Sequence, residues 1–255
     1  MDEQRIKSIL NSHPWALSVH CEKTVRSTNL LVKALAAQGA PEGTAIFAER
    51  QTEGRGRLGR SFYSPAGTGL YFSVLLRPAL PARELSDLTA RVAVCVRRAI
   101  CDTCGVQVGI KWVNDLCLNG KKLGGILTEL VGGETPAAVV GIGINCSQTA
   151  FPPELSGIAG SIYTETGTSV DREALAAACL RRLSELYETD WLDEYRQCCV
   201  TLGQPVRILS AQGQREAFAE DVTDTAALLV RNPDGTREEI FSGEVSVRGL
   251  YGYTS

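Results

Sequence analysis

The residues best suited to chemistry lie in one short run, Gly54 to Arg60, GRGRLGR, in which glycines alternate with arginines. Ordered glycine costs stability and neighbouring arginines repel one another, so this run fills neither a core nor a solvated face well. An anion is the natural occupant. Arg55, Arg57 and Arg60 each offer a fork of donors to a phosphate or carboxylate, while Gly54, Gly56 and Gly59 let the backbone bring its own N–H groups close. The plain alternative is a mobile surface loop.

Two nucleotide signatures fit the same letters. Gly54-x-Gly56-x-x-Gly59 matches the dinucleotide fingerprint, and Gly54-x4-Gly59-Arg60-Ser61 matches a Walker A loop with arginine for lysine. Both require a helix at once, because its first amides receive the phosphates. Here Ser64-Pro65-Ala66-Gly67 turns the chain and Leu70 to Leu76 reads as a strand, which excludes both. A kinase glycine loop lies between strands, but the chain contains no HRD or DFG tripeptide.

A chain of 255 residues with 44% apolar and 22% charged content is an ordinary globule, large enough for one big domain or two. The net charge of -3 argues against a general nucleic-acid binder and makes the arginine cluster a local device. The central apolar run, Ala137 to Ile144, falls far short of the ~20 residues a bilayer needs, so no membrane partner is expected. Met1-Asp2-Glu3-Gln4 is polar and acidic, unlike a secretory signal, and the nine cysteines are odd in number and irregular in spacing. Both features point to reduced thiols and a cytoplasmic location. Cys101-x-x-Cys104 is an isolated pair far from either histidine, a poor metal site.

The elements that must position the loop follow from patterning. Asp2 to Leu10 is a short amphipathic helix and Trp15 to Cys21 a strand. Ser27, Thr28 and Asn29 stand where a helix running to Ala37 begins, as caps or as donors and acceptors beside its free amides. Gly43 to Glu49 is a buried strand that delivers Gln51 to the loop, and Gln51 to Gly67 has no regular pattern. Ordering about ten of these residues costs on the order of 10 kcal/mol. Three arginine contacts return roughly 1.5–3 kcal/mol each. The near balance predicts a loop ordered by its ligand.

Beyond the loop, Glu84 to Cys104 is a long helix closed by Gly105. Strands are expected over Val106 to Val113, Leu116 to Leu118 and Lys122 to Leu130, with an Asn119-Gly120 hairpin turn. Gly124 and Gly125 weaken their strand, which suits close approach by a ligand or another backbone. After a Gly132-Gly133 turn, a strand from Ala137 to Ile144 presents Asn145, and Asp171 to Cys199 forms a second long helix. Five short strands then follow Gly203, namely Pro205 to Leu209, Ala217 to Val222, Ala226 to Val230, Glu239 to Phe241 and Val245 to Val247. The expected domains are residues 1–203 and 204–255.

Taken in order, GRGRLGR, KWVND at Lys111 to Asp115, KLGGIL at Lys122 to Leu127 and GIGIN at Gly141 to Asn145 resemble the motifs of the biotin protein ligase family, over nearly the whole chain from Val25 onward. The resemblance implies an α+β fold of the class II synthetase kind: a mainly antiparallel mixed sheet backed by helices, then a small SH3-like β-barrel. It implies ATP-dependent ligation of biotin, through biotinyl-5′-AMP, to a lysine of a carboxylase's biotin-acceptor domain, with Mg²⁺ beside the ATP. Lys122, Arg57 and Asp115 would be catalytic. Ser27, Thr28, Asn29, Gln51, Arg55, Gly56, Arg57, Lys122 and Gly125 would hold biotin, the first four at its ureido head. Arg57, Arg60, Phe62, Asn114, Asp115, Lys122 and Asn145 would hold ATP, Phe62 by stacking where the family often has tryptophan. Asp115 suits either Mg²⁺ coordination or steering of the incoming amine.

Val113 departs from the proline commoner in KWxND, and no N-terminal DNA-binding domain matches, so no DNA partner is expected. The resemblance leaves room for a homodimer. A lipoate-type ligase or acyltransferase of the same superfamily is the alternative, although its RRxxGGG-type stretch is absent. A non-catalytic RNA binder using the arginine loop is the remaining rival, and the acidic net charge weighs against it.

Overall fold

The computed structural model describes residues 1–132, 136–188, 190–210, 213–242 and 246–249. Its centre is a seven-stranded sheet. The strands are β1 Val19–Val25, β2 Ala45–Gln51, β3 Gly69–Leu76, β4 Gly109–Lys111, β5 Asp115–Leu118, β6 Lys121–Val131 and β7 Ala137–Asn145. Their spatial order is β1-β2-β3-β7-β6-β5-β4, with β1 and β2 parallel and every other pair antiparallel.

Helices cover both faces because the sheet strands are apolar on both sides; every residue of β3 is buried. On one face lie α3 Leu88–Cys104 and α5 Arg172–Ser184, with α1 Glu3–Leu10 packed on α5. Val92, Val96, Ile100, Leu175 and Leu180 join Phe47 and Phe72, whose rings stack 4.7 Å apart. On the other face α2 Thr28–Ala37 sets Val32 against Ile46, Leu75 and Val139. Local chemistry fixes the ends. Asp2 accepts from the Arg5 amide to start α1, and Gly105, left-handed at φ 67°, closes α3. Asn119 and Gly120 both have positive φ, as the expected hairpin turn requires.

The C-terminal unit is a five-stranded antiparallel sheet, β8 Pro205–Ser210, β9 Gly213–Val222, β10 Leu228–Arg231, β11 Arg237–Ile240 and β12 Ser246–Gly249, ordered β11-β10-β9-β8-β12. Its apolar face continues the main core. Trp112 Nε1 donates to the Ala226 carbonyl at 3.0 Å, and Arg196 on α6 Leu192–Cys198 bonds both Asp221 and the Val222 carbonyl. The α+β architecture is thus the one the resemblance implies.

Several boundaries differ from expectation. Trp15 belongs to a 3₁₀ turn, Pro14–Ser18, because His13 caps it and Pro14 presets its first φ; the strand starts at Val19. The helix expected from Glu84 begins at Leu88, after a separate 3₁₀ turn Ala82–Glu84. The strand expected over Val106 to Val113 pairs only across Gly109–Lys111. The second long helix is two, α5 and α6, and the break lets Trp191 enter the core beneath the Arg91 guanidinium. Sequence reading also missed α4 Ile162–Thr166, opened by a Ser161–Thr164 capping box. Gly133, in the expected turn, and Val245, at the expected start of the last strand, lie outside the described residues.

Candidate active site

One cavity of about 740 Å³ opens between the Gly54–Arg60 loop, the start of α2 and the strands β5, β6 and β7. Every predicted site residue except Asn145 lines it.

At one end the wall is neutral and buried. Ser27, Thr28 and Asn29 at the start of α2 are only 2–3% exposed. Ser27 holds the N-cap position but makes no side-chain cap bond, so simple capping does not account for it. Gln51, carried at the end of β2, accepts from the Thr28 amide at 2.9 Å and from its hydroxyl at 3.2 Å; its own amide donates to Ser64 Oγ at 3.1 Å. Ser73 lies 2.7 Å from Thr28 Oγ1 and 2.5 Å from Asn29 Oδ1. The floor is glycine by necessity. A Cβ at Gly141 would overlap Asn29 Oδ1, and one at Gly143 would press into the Phe62 ring. Such an end offers directional donors and acceptors without charge, suited to a neutral polar head group.

The other end is cationic. Arg55, Arg57, Arg60, Lys111, Lys122 and Arg207 line the cavity against one carboxylate among the described residues, Asp115, and Arg55 lies nearest the neutral end. Lys122, at the hairpin end of β6, sits 2.6 Å from Asp115 Oδ1, which also takes the Asn114 amide at 3.2 Å. Asn114 Oδ1 in turn accepts from Arg57 at 3.0 Å, and Arg57 donates as well to the Ser242 carbonyl of the C-terminal unit. Burial lowers the proton affinity of the Arg57 guanidinium, and Asp115 works against that shift. Arginine remains charged through any physiological pH, so the result is a desolvated fixed cation. A Cβ on Gly125 would meet Asp115 Oδ1 and Lys122 Nζ at 3.3 Å each, tighter than ordinary contact, so glycine lets these groups close over the strand.

The Gly54–Arg60 loop is not without structure. The Gly56 amide donates to the Arg60 carbonyl at 2.7 Å and the Phe62 amide to the Gly54 carbonyl at 2.8 Å, around a short 3₁₀ turn Arg57–Gly59. Leu58 and Gly59 take positive φ within it.

Asn145 lies behind the wall, 5% exposed, its amide donating to the Gly160 carbonyl at 2.9 Å and its Oδ1 accepting from Gln148 at 3.1 Å. It braces the segment after β7 rather than facing the cavity. That segment was passed over in the sequence, yet Leu155, Gly157, Ile158 and Ala159 line the cavity. The Lys122 amide donates to the Ile158 carbonyl at 2.8 Å, and the Gly160 amide donates back to the Lys122 carbonyl at 3.0 Å. Its irregular backbone gives no periodic signal. Ser73 was also missed, although a hydroxyl inside an otherwise apolar, fully buried strand is a legible sign of a polar partner. Lys111 and Arg207 are the missed cations.

No group of three or more His, Cys, Asp or Glu among the described residues could hold a metal ion. No described helix is long and apolar enough to cross a membrane.

Residues 21–145 match the Biotin/lipoate A/B protein ligase family, and residues 201–248 match the Biotin protein ligase C terminal domain. The chain is 31% identical to the "Bifunctional ligase/repressor BirA" of Bacillus spizizenii, over 97% of this chain and 79% of that protein. It is 32% identical to the "Biotin--[acetyl-CoA-carboxylase] ligase" of Mycobacterium tuberculosis, over 80% of this chain and 79% of that protein. Among solved structures, the biotin protein ligase from Aquifex aeolicus in complex with biotin and ATP superposes with a TM-score of 0.79 at 32% identity, covering 91% of this chain and 98% of that one.

Proposed function

Because the chain belongs to the biotin protein ligase family, we propose that it activates biotin with ATP and transfers it to a protein lysine within this one cavity. The observation that carries the reading is the pairing of a neutral, hydrogen-bonding end with a cationic end in a single continuous space.

In the first step a biotin carboxylate oxygen attacks the α-phosphorus of ATP. An acyl O–P bond forms, the bond to the β-phosphate bridge breaks, and pyrophosphate leaves with the electron pair, giving biotinyl-5′-AMP. Two anions must approach within bonding distance, and at such range their repulsion is severe in a site with little water. Arg57 and Lys122, with Arg55 and Arg60 beside them, supply fixed positive charge where negative charge concentrates. The Arg57–Asn114–Asp115–Lys122 chain of hydrogen bonds holds the two central cations before substrate arrives. Ser27, Thr28, Asn29 and Gln51 grip the ureido head, which directs the carboxylate toward the cations. Phe62, lying over Gly143, offers a ring face to the adenine.

In the second step the neutral ε-amine of an acceptor lysine attacks the acyl carbon. An amide forms, AMP leaves, and the amine loses a proton. On this reading Asp115 steers that amine. It is also the one carboxylate on the described wall that a Mg²⁺ carried by the nucleotide could touch, the phosphates supplying most of the ion's ligands. The acceptor is the biotin-carrying domain of a carboxylase, a reading supported by the names of the relatives. Residues 1–203 carry most of the cavity, and residues 204–255 add Arg207, Val247 and the carbonyl that holds Arg57. All nine cysteines are free, which favours a reducing compartment, the cytoplasm.

Incubation with biotin, Mg-ATP and an apo biotin-acceptor domain, read by intact mass, tests the proposal. The expected result is one biotinyl increment per acceptor, absent without ATP and absent when lipoate replaces biotin. An acceptor of unchanged mass, or one that gains lipoate instead, overturns it.

A further inference from the structure

Glu129 stands just outside the cavity wall, near the far end of β6, on the sheet face covered by α2. No role in the two chemical steps uses it, yet it touches both ends of the site. Its Oε2 lies 2.8 Å from Asn29 Nδ2, and its Oε1 lies 2.5 Å from Lys33 Nζ and 3.6 Å from Arg55 Nη1 of the glycine–arginine loop. Burial pushes the Glu129 carboxyl upward, but the hydrogen bonds from Asn29 and Lys33 outweigh it and hold the group below the usual carboxylate range. At neutral pH it is therefore an anion.

An ionised carboxylate only accepts hydrogen bonds, so the atom of Asn29 that faces it must be the NH₂. The Asn29 carbonyl oxygen is then directed away, to the Ser73 hydroxyl at 2.5 Å and over Gly141, where there is room for it only because no Cβ is present. A side-chain amide left alone can turn over and exchange donor for acceptor. Here the charged Glu129 at 2.8 Å is the stronger of two acceptors that prevent it, the other being the Leu127 carbonyl at 3.4 Å.

We infer that Glu129 is a positioning residue for biotin recognition: it fixes which face of the Asn29 amide the head group meets, and it tethers Arg55 so that the loop closes over an already oriented pocket. The inference rests on the proposed assignment of the neutral end to biotin. In Glu129→Gln the new amide can donate to Asn29 Oδ1 as readily as accept from Nδ2, so the orientation is left to the long 3.4 Å contact of Nδ2 with the Leu127 carbonyl while shape and volume are kept.

The test is biotin-dependent ATP–pyrophosphate exchange by the full chain, with KM and kcat separated and biotin affinity also measured by calorimetry. Glu129→Gln should raise the biotin KM and Kd about tenfold, the scale of a lost charge-assisted hydrogen bond, with ATP KM and saturated kcat within twofold of the parent. In an Asn29→Ala background the same change should move biotin KM less than twofold, because the amide it orients is gone. Lys33→Met, which removes the carboxylate's other close partner and leaves Asn29 in place, should stay within threefold. Should glutamine at 129 prevent folding, Glu129→Asp carries the same test with the charge retained and the reach to Asn29 lost. An unchanged biotin KM in the 129 variant, an equal loss in both backgrounds, or an equal loss in Lys33→Met overturns the inference. A parent protein without any biotin-dependent exchange would instead overturn the proposed function itself.

Discussion

The two ends of the cavity are built in opposite ways. The neutral end is made of side chains on regular elements, α2, β2, β3 and β7, and its polar atoms are tied to one another through Gln51, Ser73 and Thr28. The cationic end hangs in part on a loop, which carries Arg55, Arg57 and Arg60 and is tied by three backbone bonds, and its Arg55 side chain is 45% exposed. A neutral head group gives little binding energy unless donors and acceptors wait in place, so that half is worth ordering in advance. Charge acts over a longer range and tolerates a few ångströms of slack, so the exposed Arg55 and Arg60 can settle when the anions arrive, around an Arg57 and a Lys122 already held through Asn114 and Asp115. The difference suggests an order of events: recognition by a rigid pocket, then closure by a loop that its ligand completes.

The comparison is broken most severely at its cationic end. Lys122→Ala or Arg57→Ala should slow adenylate formation about 100- to 1000-fold, the range for loss of one preorganised charge-stabilising group. Circular dichroism and melting should be little changed, since both groups line the cavity rather than fill the core. Next comes Gly141→Ala, which drives a methyl group into Asn29 Oδ1. It should raise the biotin KM by roughly tenfold or more, on the scale of losing or misaligning one or two polar contacts, with ATP KM little altered. Parallel titrations of the two substrates check this split.

Loop order sharpens the same contrast without a mutation. Limited proteolysis should cut between Gly54 and Arg60 in the free protein and much less with biotin and ATP present, while the start of α2 stays protected throughout. Equal cutting with and without ligands would mean the two ends do not differ in this way.

The smallest effect is on acid stability. The folded Glu129 carboxyl has a lowered pKa. Its contribution is therefore fully present above the ordinary carboxylate value near 4.5 and is lost as pH falls through the folded value. Glu129→Gln should flatten the fall of melting temperature below about pH 4.5 by a small amount, because the group is partly exposed and screened.

Much of the site was legible because its chemistry sits in short motifs whose residues have few other uses. Glycines beside arginines, and a lysine one turn away from KWVND, converge on one space with Asn145 as the exception. Asn145 stands apart because a polar residue at a strand end can face a ligand or brace a loop, and here its side chain bonds the Gly160 carbonyl and Gln148. The wall from Leu155 to Ala159 was hidden because its backbone follows no period. The break between α5 and α6 was hidden for another reason. Neither glycine nor proline marks it, and apolar residues continue at helical spacing through Leu183, Leu186 and Tyr187. Packing ends the helix there, with Trp191 buried under Arg91 and the Asp190 carbonyl accepting from Arg98.

The central claim is that a rigid neutral pocket delivers a carboxylate to a cluster of fixed cations. ATP–pyrophosphate exchange with no acceptor protein present tests it most directly. The account predicts exchange that requires biotin, is not supported by lipoate, and falls at least a hundredfold in Lys122→Ala. Exchange driven equally by lipoate, or undiminished in that variant, would contradict it.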